Sequence, residues 1–321
     1  MKLYAHPAST VSRAVLQFVT DHDLDIEVRI VDLFRGEQLE EGFFQKNPNR
    51  LIPVLEDGDF LLTESAAILR FLADKIDSKA YPKDLRQRAR VNERIDWFNS
   101  NFYRDWGYGL IYPQVFPTHK RDQEVSQLDH VARAHVCSAA WLQVLNDHFL
   151  GASASYLCGD SLTIADYFGM AILSAGQLVH CDLGDYPNIG RWVNKMRALP
   201  SYDKTYAAFN ALSDSFKGER FVRIEPGEVE LEMPFADAWS FRPGQFQATP
   251  MFAVAAYFLI RGPREPEHEG HGRARDDVEV RLAVGPLPRG QHPTDQHHVE
   301  RQNGGNAHNG EEEAPAHSPA V

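Results

Sequence analysis

A proline stands inside the most strand-like run of the chain. Residues 51–57, LIPVLED, are apolar and branched enough for a buried strand, yet Pro53 has no N–H to give to a ladder. Such a run cannot cross the middle of a sheet with Pro53 as one of its paired residues. Pro53 either begins the strand, lies on an edge, or follows a cis peptide bond, which X–Pro pairs adopt at modest cost. In the cis case Ile52 turns its N–H and C=O outward and offers one donor and one acceptor to an extended, peptide-like ligand. The run alone leaves these choices open.

Around Pro53, strand and helix signals alternate from residue 2 to 76: KLYAH, VSRAVLQFVTDH, IEVRIVD, GEQLEEGFFQK, PVLED, DFLLT and ESAAILRFLADKI, with a tight turn at Asp57 and Gly58. This βαβαββα order predicts a small mixed sheet covered by helices. From Leu85 to about Phe216 the pattern is helical, in segments such as LRQRARVNERIDWF and HVARAHVCSAAWLQVLNDHFL, which predicts a helical bundle. The expected division is an α/β domain at 1–78, an all-α domain at 84–216 and an extension at 217–321. The extension is rich in Pro, Gly, His, Arg and Glu and lacks periodicity, so it is expected to be largely disordered. His297 and His298 are read there as solvated, and only the stretch ending MFAVAAYFLI calls for burial.

A chain of 321 residues suggests about two domains, and its formal charge of −12 disfavours nucleic acid and anionic membranes as partners. The opening MKLYAHPAS lacks the apolar core of a signal peptide, and the run Met251–Ile260 is about half of a bilayer span. A cytoplasmic location is expected, without membrane association. Cys137, Cys158 and Cys181 are widely spaced and form no CxxC pair, so they are read as buried thiols; neither a disulfide framework nor a metal site is expected.

Three groups of residues could do chemistry. Ser9 and Ser12 fall at the junction of the first strand and first helix, where a hydroxyl either caps the helix or donates a hydrogen bond to a ligand thiolate. Glu64 and Ser65 open the helix ESAAIL, where free N–H groups attract an anion and the carboxylate attracts an amine. The segment WFNSNFYRDWGYGLIY, Trp97 to Tyr112, interleaves aromatic rings with Arg104 and is either core packing or the wall of a substrate pocket. Farther on, Thr163 and Asp166 have the spacing of a helix capping box.

Taken together, S-x-x-x-R-A-V after the first strand, N-P-x-x-x-I-P-V-L, and D-G-D-F-x-L-x-E-S-x-A-I-L resemble the glutathione transferase family, most of all its theta class and the related bacterial dehalogenating enzymes. The stretches IVDL at Ile30 and YPxDLxxRARV at Tyr81 are similar to theta sequences as well, and Thr163 to Asp166 matches the family's capping motif. The resemblance covers about residues 1–215. It implies a thioredoxin-like N-terminal domain and a homodimeric transferase that uses glutathione as co-substrate, without a metal, to detoxify small electrophiles, halogenated ones included.

Carried over by position, the resemblance implies Ser9 as the hydroxyl that stabilises the glutathione thiolate, with Arg13 on the same helix. Ile52 before a cis Pro53 pairs with the cysteinyl backbone, and Glu64 with Ser65 holds the γ-glutamyl end. Gln38 stands where theta proteins often carry a histidine that contacts the glycyl end. Trp97, Arg104 and Tyr108 are the candidates for the electrophile pocket. Tyr4, similar to the activating tyrosine of other classes, and Ser12 are weaker alternatives to Ser9. A glutathione-binding or scaffolding protein of the same fold, without turnover, is the rival reading.

Overall fold

The structure is a computed structural model that describes residues 1–227; the predicted extension from residue 228 on, including the apolar run Met251–Ile260, His297 and His298, lies outside the described residues. The chain opens with β1 (Lys2–Ala5), α1 (Thr10–Asp21), β2 (Glu27–Ile30), the single-turn α2 (Glu41–Phe44), β3 (Val54–Asp57), β4 (Phe60–Leu62) and α3 (Ser65–Lys75). This is the predicted βαβαββα order. The sheet runs β2-β1-β3-β4, with β1 parallel to β2 and antiparallel to β3, and β3 antiparallel to β4. Val54 pairs with Tyr4, so Pro53 stands just outside the ladder, where its missing N–H costs nothing.

The expected helix over GEQLEEGFFQK is broken in two. Gly36 at φ 76° starts a 3-10 turn at Glu37–Leu39, and Glu40 is extended (φ −70°, ψ 151°), which forces α2 to begin anew at Glu41.

Among the described residues every named strand precedes residue 63, and the rest of the architecture is helical. Helix α4 (Leu85–Trp97) continues through a π-helical turn at Phe98–Phe102, one α turn (α5, Tyr103–Asp105), a second π-helical stretch at Trp106–Ile111 and a last turn, α6 (Tyr112–Val115). Then come α7 (Glu124–Gln143), α8 (Ile164–Leu173), α9 (Pro187–Arg197) and α10 (Tyr202–Asp214). Helix α8 is buried along its whole length and packs on α1, where Phe18 meets Tyr167 edge-on at 5.6 Å. Trp106 is fully buried against Gly176, where an added Cβ would lie 2.3 Å from the indole, so no larger residue fits.

Beyond α10 the chain returns to the helical body. Gln114 pairs with both the N–H and the C=O of Val222 at 2.8 Å, Asp182 N–H donates to Ile224 O, and Ile224 is buried. The first residues of the predicted extension are therefore anchored.

Asp166 holds the C-terminal half together. Its carboxylate accepts the N–H of Leu157 and of Thr163 at 2.8 Å, and the Thr163 hydroxyl and Trp192 Nε1–H at 2.9 Å. One buried side chain thus caps α8, ties down the preceding loop and fixes α9. Burial pushes its pKa up to about 6, against the pull of these four donors. Asp166→Ala, which strands several buried donors, is expected to lower stability by about 3–5 kcal/mol, and Thr163→Ala by about 1 kcal/mol, in denaturant unfolding.

Candidate functional site

The register brings the candidate residues to one end of the sheet. Ala5 and Ile30 end the parallel pair β1 and β2 side by side, Val54 begins β3 opposite Tyr4, and Leu62 ends β4 opposite Leu55. The loops carrying Ser9, Gln38, Ile52 and Glu64 therefore leave the sheet from the same edge.

After β1 the chain turns through His6 and Pro7. Ser9 N–H donates to His6 O at 2.9 Å, and Ala8 N–H donates to His6 Nδ1 at 3.1 Å. Burial lowers the His6 pKa, consistent with a neutral ring accepting at Nδ1. Ser9 is the N-cap of α1: its Oγ accepts Ser12 N–H at 3.4 Å. Since this bond uses only a lone pair of Oγ, the Ser9 hydroxyl retains its proton for another acceptor.

Arg13 does not face this space. It is fully buried, its guanidinium donating to Ala8 O (3.0 Å), Ala171 O (3.2 Å) and Ser174 Oγ (2.9 Å) and lying 3.5 Å from the Phe209 ring centroid. A side chain with no exposed surface cannot touch a ligand, so its placement as catalytic is corrected: Arg13 holds the loop behind Ser9. Ser12 is likewise fully buried. Tyr4 spends its hydroxyl on Glu56 Oε2 at 2.7 Å, while Lys2 and Tyr4 together hold the Glu56 carboxyl down at about 2. That bond occupies the proton Tyr4 would need to act on a thiol.

The Ile52–Pro53 peptide bond is cis. No partner for the Ile52 N–H or C=O is found among the described residues, although the side chain is buried with Val31, Phe43 and Val54. Glu64 caps α3 at φ 65°, ψ 109°, a conformation that costs a residue with a Cβ about 1–3 kcal/mol. Its carboxylate makes no capping bond and is exposed, and Ser65 follows at the first helical position. Gln38 lies half-buried in the 3-10 turn, with its Oε1 occluded and unpartnered among the described residues.

Opposite this edge stands the segment Tyr103–Tyr112. Tyr108 is 46% exposed, with its ring 5.0 Å from Tyr103, 5.2 Å from Tyr112 and 5.6 Å from His119. Burial raises its pKa and the Glu64 charge adds to the rise, which places Tyr108 within electrostatic reach of the α3 start. The other two pocket candidates lie elsewhere. Trp97, partly buried, packs on Phe102, Phe149 and Trp141 at the edge of the helical core, about 15 Å along the helix from Tyr108. Arg104 forks onto Asp105 at 2.9 and 3.1 Å, and Asp105 in turn accepts Trp141 Nε1–H, so the pair is tied to α7. The contacts of both are with the helical body, and neither is brought against Tyr108.

Three residues not singled out from the sequence, Thr10, Tyr103 and Tyr112, complete the arrangement. Tyr112 Oη donates to Thr10 Oγ1 at 2.7 Å and lies 2.7 Å from Tyr103 Oη. At about 100° per residue an α-helix would set Tyr103 and Tyr112 on opposite sides; the π-helical stretch between them brings both to one face. Adjacent tyrosines with π-type spacing are the signal, but an α-helical period hides it.

A cleft of about 710 Å³ lined by His22, Tyr167, Ser201 and Lys204 lies at the other end of α1, away from Ser9. Among the described residues no cluster of three or more His, Cys, Asp or Glu is placed to hold a metal, no disulfide joins the cysteines, and no helix is long and apolar enough to cross a membrane. Burial raises Cys158 to about 11 and Cys181 to about 12.

Two domain profiles match the chain: glutathione S-transferase, N-terminal domain, at residues 1–74, and glutathione S-transferase, C-terminal domain, at 120–200. The chain is 31% identical over 238 residues to glutathione S-transferase theta-1 of Homo sapiens, covering 73% of this chain and 97% of that one. It is also 31% identical to theta-2 of Rattus norvegicus, with 73% and 96% covered. Among solved structures, human glutathione transferase theta-2 in complex with glutathione and an unknown ligand aligns with a TM-score of 0.59 at 26% identity, covering 70% of this chain and 93% of that one. A delta-class enzyme of Nilaparvata lugens aligns at 0.56 and 30% identity, with 67% and 98% covered. With this sheet, this helical body and these matches along its first two-thirds, the chain belongs to the glutathione transferase family.

Proposed function

We propose that the protein is a serine-type, theta-like glutathione transferase in which Ser9 holds the thiolate. The observation that carries this reading is the unspent hydroxyl proton of Ser9 at the head of α1, at the same end of the sheet as the Ile52 peptide, whose N–H and C=O have no partner among the described residues. Strands lie about 4.8 Å apart, so the loops after β4, before β3 and after β1 span about 10 Å, the length of an extended tripeptide. Along that edge the γ-glutamyl group meets Glu64 and Ser65, the cysteinyl backbone meets Ile52 with its sulfur toward Ser9, and the glycyl end reaches toward Gln38.

The bound thiol, with an ordinary pKa of about 8.5, releases its proton to solvent, and Ser9 Oγ–H donates to the anion that remains. The sulfur lone pair then forms a bond to an electrophilic carbon, and the leaving group departs with its bonding pair; in an addition, that pair moves onto the activated system instead. The protein supplies thiolate stabilisation and alignment. The rings of Tyr108, Phe116 and His119 offer a face for a small apolar electrophile, halogenated compounds included.

Ser9→Ala is expected to bind glutathione with nearly unchanged affinity by calorimetry and to lose about 10- to 100-fold in turnover, the worth of one hydrogen bond to an anion. Full turnover across a panel of haloalkane and nitroaromatic electrophiles would reject Ser9. A scaffold without activity would give no product above the uncatalysed rate. Glu64→Gly is expected to gain about 1 kcal/mol in unfolding while weakening glutathione binding several-fold; equal affinity would remove Glu64 from the site. A homodimer is part of the proposal, supported by the apolar Phe60 and Leu61 exposed on edge strand β4 and by Leu85, 82% exposed. Sedimentation showing a monomer at assay concentration would remove that part.

A further inference from the structure

The Tyr103–Tyr112–Thr10 chain contains three hydroxyls, hence three protons, and only two of them have acceptors within it. Tyr112 donates to Thr10 Oγ1 at 2.7 Å, so the 2.7 Å contact between the two tyrosines is made by the Tyr103 proton. The polarity is therefore Tyr103 to Tyr112 to Thr10. The Thr10 proton is the one left over. A threonine in the first turn of a helix can return its proton to the carbonyl four residues back, as Thr20 does to Leu16 O at 2.8 Å, but Thr10 makes no such bond to His6 O, and no acceptor for its hydroxyl is found among the described residues. All three residues are at least nine-tenths buried, at 7%, 7% and 6% exposure, where an unused donor is costly.

We infer that Thr10 is a second catalytic donor to the glutathione sulfur, standing beside Ser9 and aimed by the two tyrosines as positioning residues. The inference rests on the reading of Ser9 given above. Thr10 is the first residue of α1 and Ser9 its cap, so two consecutive residues each present a hydroxyl with its proton unspent at the same helix end. A thiolate has several lone pairs and can accept from both. Because the Thr10 oxygen accepts from Tyr112, its own proton is polarised, and the Tyr103 bond strengthens that effect. Burial raises the pKa of Tyr103 and Tyr112, so the chain keeps its protons and its direction over the working pH range. The charged and titratable groups around it are Arg13, which partly offsets that rise for both tyrosines, Tyr108 against Tyr103 and Tyr112, His119 against Tyr108 and Tyr112, and Glu64 acting on Tyr108. The device joins the helical body to the head of α1, so the segment that walls the electrophile space also takes part in holding the nucleophile.

The test is a titration of the glutathione thiol in the binary complex of the full chain, followed by thiolate absorbance, for the wild type and a graded set of variants. Thr10→Val keeps the shape and removes the donor; it is expected to raise the bound thiol pKa by about one unit, a tenfold shift in the thiolate equilibrium, with glutathione affinity little changed. Thr10→Ser is expected to restore the wild-type value. Tyr112→Phe is expected to shift the pKa by about a third as much, and Tyr103→Phe by less. A merely structural chain would change the unfolding midpoint in these variants and leave the thiol pKa alone. An unchanged pKa in Thr10→Val, with a raised one in Ser9→Ala, overturns the Thr10 inference and leaves the Ser9 reading standing. A wild-type complex whose thiol titrates like free glutathione overturns both.

Discussion

The structure depends on one buried cation. The Arg13 guanidinium lies without solvent contact between the first turn of α1 and the end of α8, and a charge in that place must be met by oxygen on every side that allows it. It takes Ala8 O from the loop before Ser9, Ala171 O and Ser174 Oγ from the helical body, and the faces of Phe209 and Tyr206 from α10. Its Nε has no partner among the described residues, so the arrangement is not fully satisfied. Losing any of these acceptors would leave a desolvated charge worse off, and this is what fixes the loop carrying Ser9 against the helices. The head of α1 is thus held from behind, which in the proposed reading lets its two hydroxyls meet the ligand without moving.

Asp166 plays the matching part in the second half. It is an anion satisfied by four donors from a loop, a cap and a tryptophan, where Arg13 is a cation met by carbonyls, a hydroxyl and rings. Both charges sit on the α1 and α8 pair, the most extensive packing between the sheet-bearing half and the helices. Position at the proposed site therefore comes from interactions that never touch it, while the two hydroxyls proposed to face it keep their protons unspent.

How much of this could be read from residues alone varied with the physics involved. Pro53 was legible because a missing N–H restricts where a strand can lie, but the run left the choices open, and it was the resemblance that implied the cis form now seen. The capping box at Thr163 and Asp166 was legible because its spacing is local, although the reach of Asp166 to Trp192 was not. Arg13 read as a site residue because a sequence position does not disclose burial. Trp97 and Arg104 read as pocket residues because an aromatic stripe gives no direction, and the π-helical turns rotate it away from any α-helical projection. Those same turns hid Tyr112 and, with it, Thr10. The strained φ of Glu64 is invisible in sequence, since glycine is the residue that conformation would favour.

The central claim is that an anionic sulfur is held by hydroxyls at the head of α1 while the Ile52 peptide grips the tripeptide's backbone. A crystal structure of the protein with glutathione bound tests it most directly. The account predicts the sulfur within hydrogen-bond distance of Ser9 Oγ, with Thr10 Oγ1 on its other side and the γ-glutamyl group at Glu64 and Ser65. A sulfur placed beside Tyr4, or glutathione seated away from the sheet edge that these residues share, would contradict it.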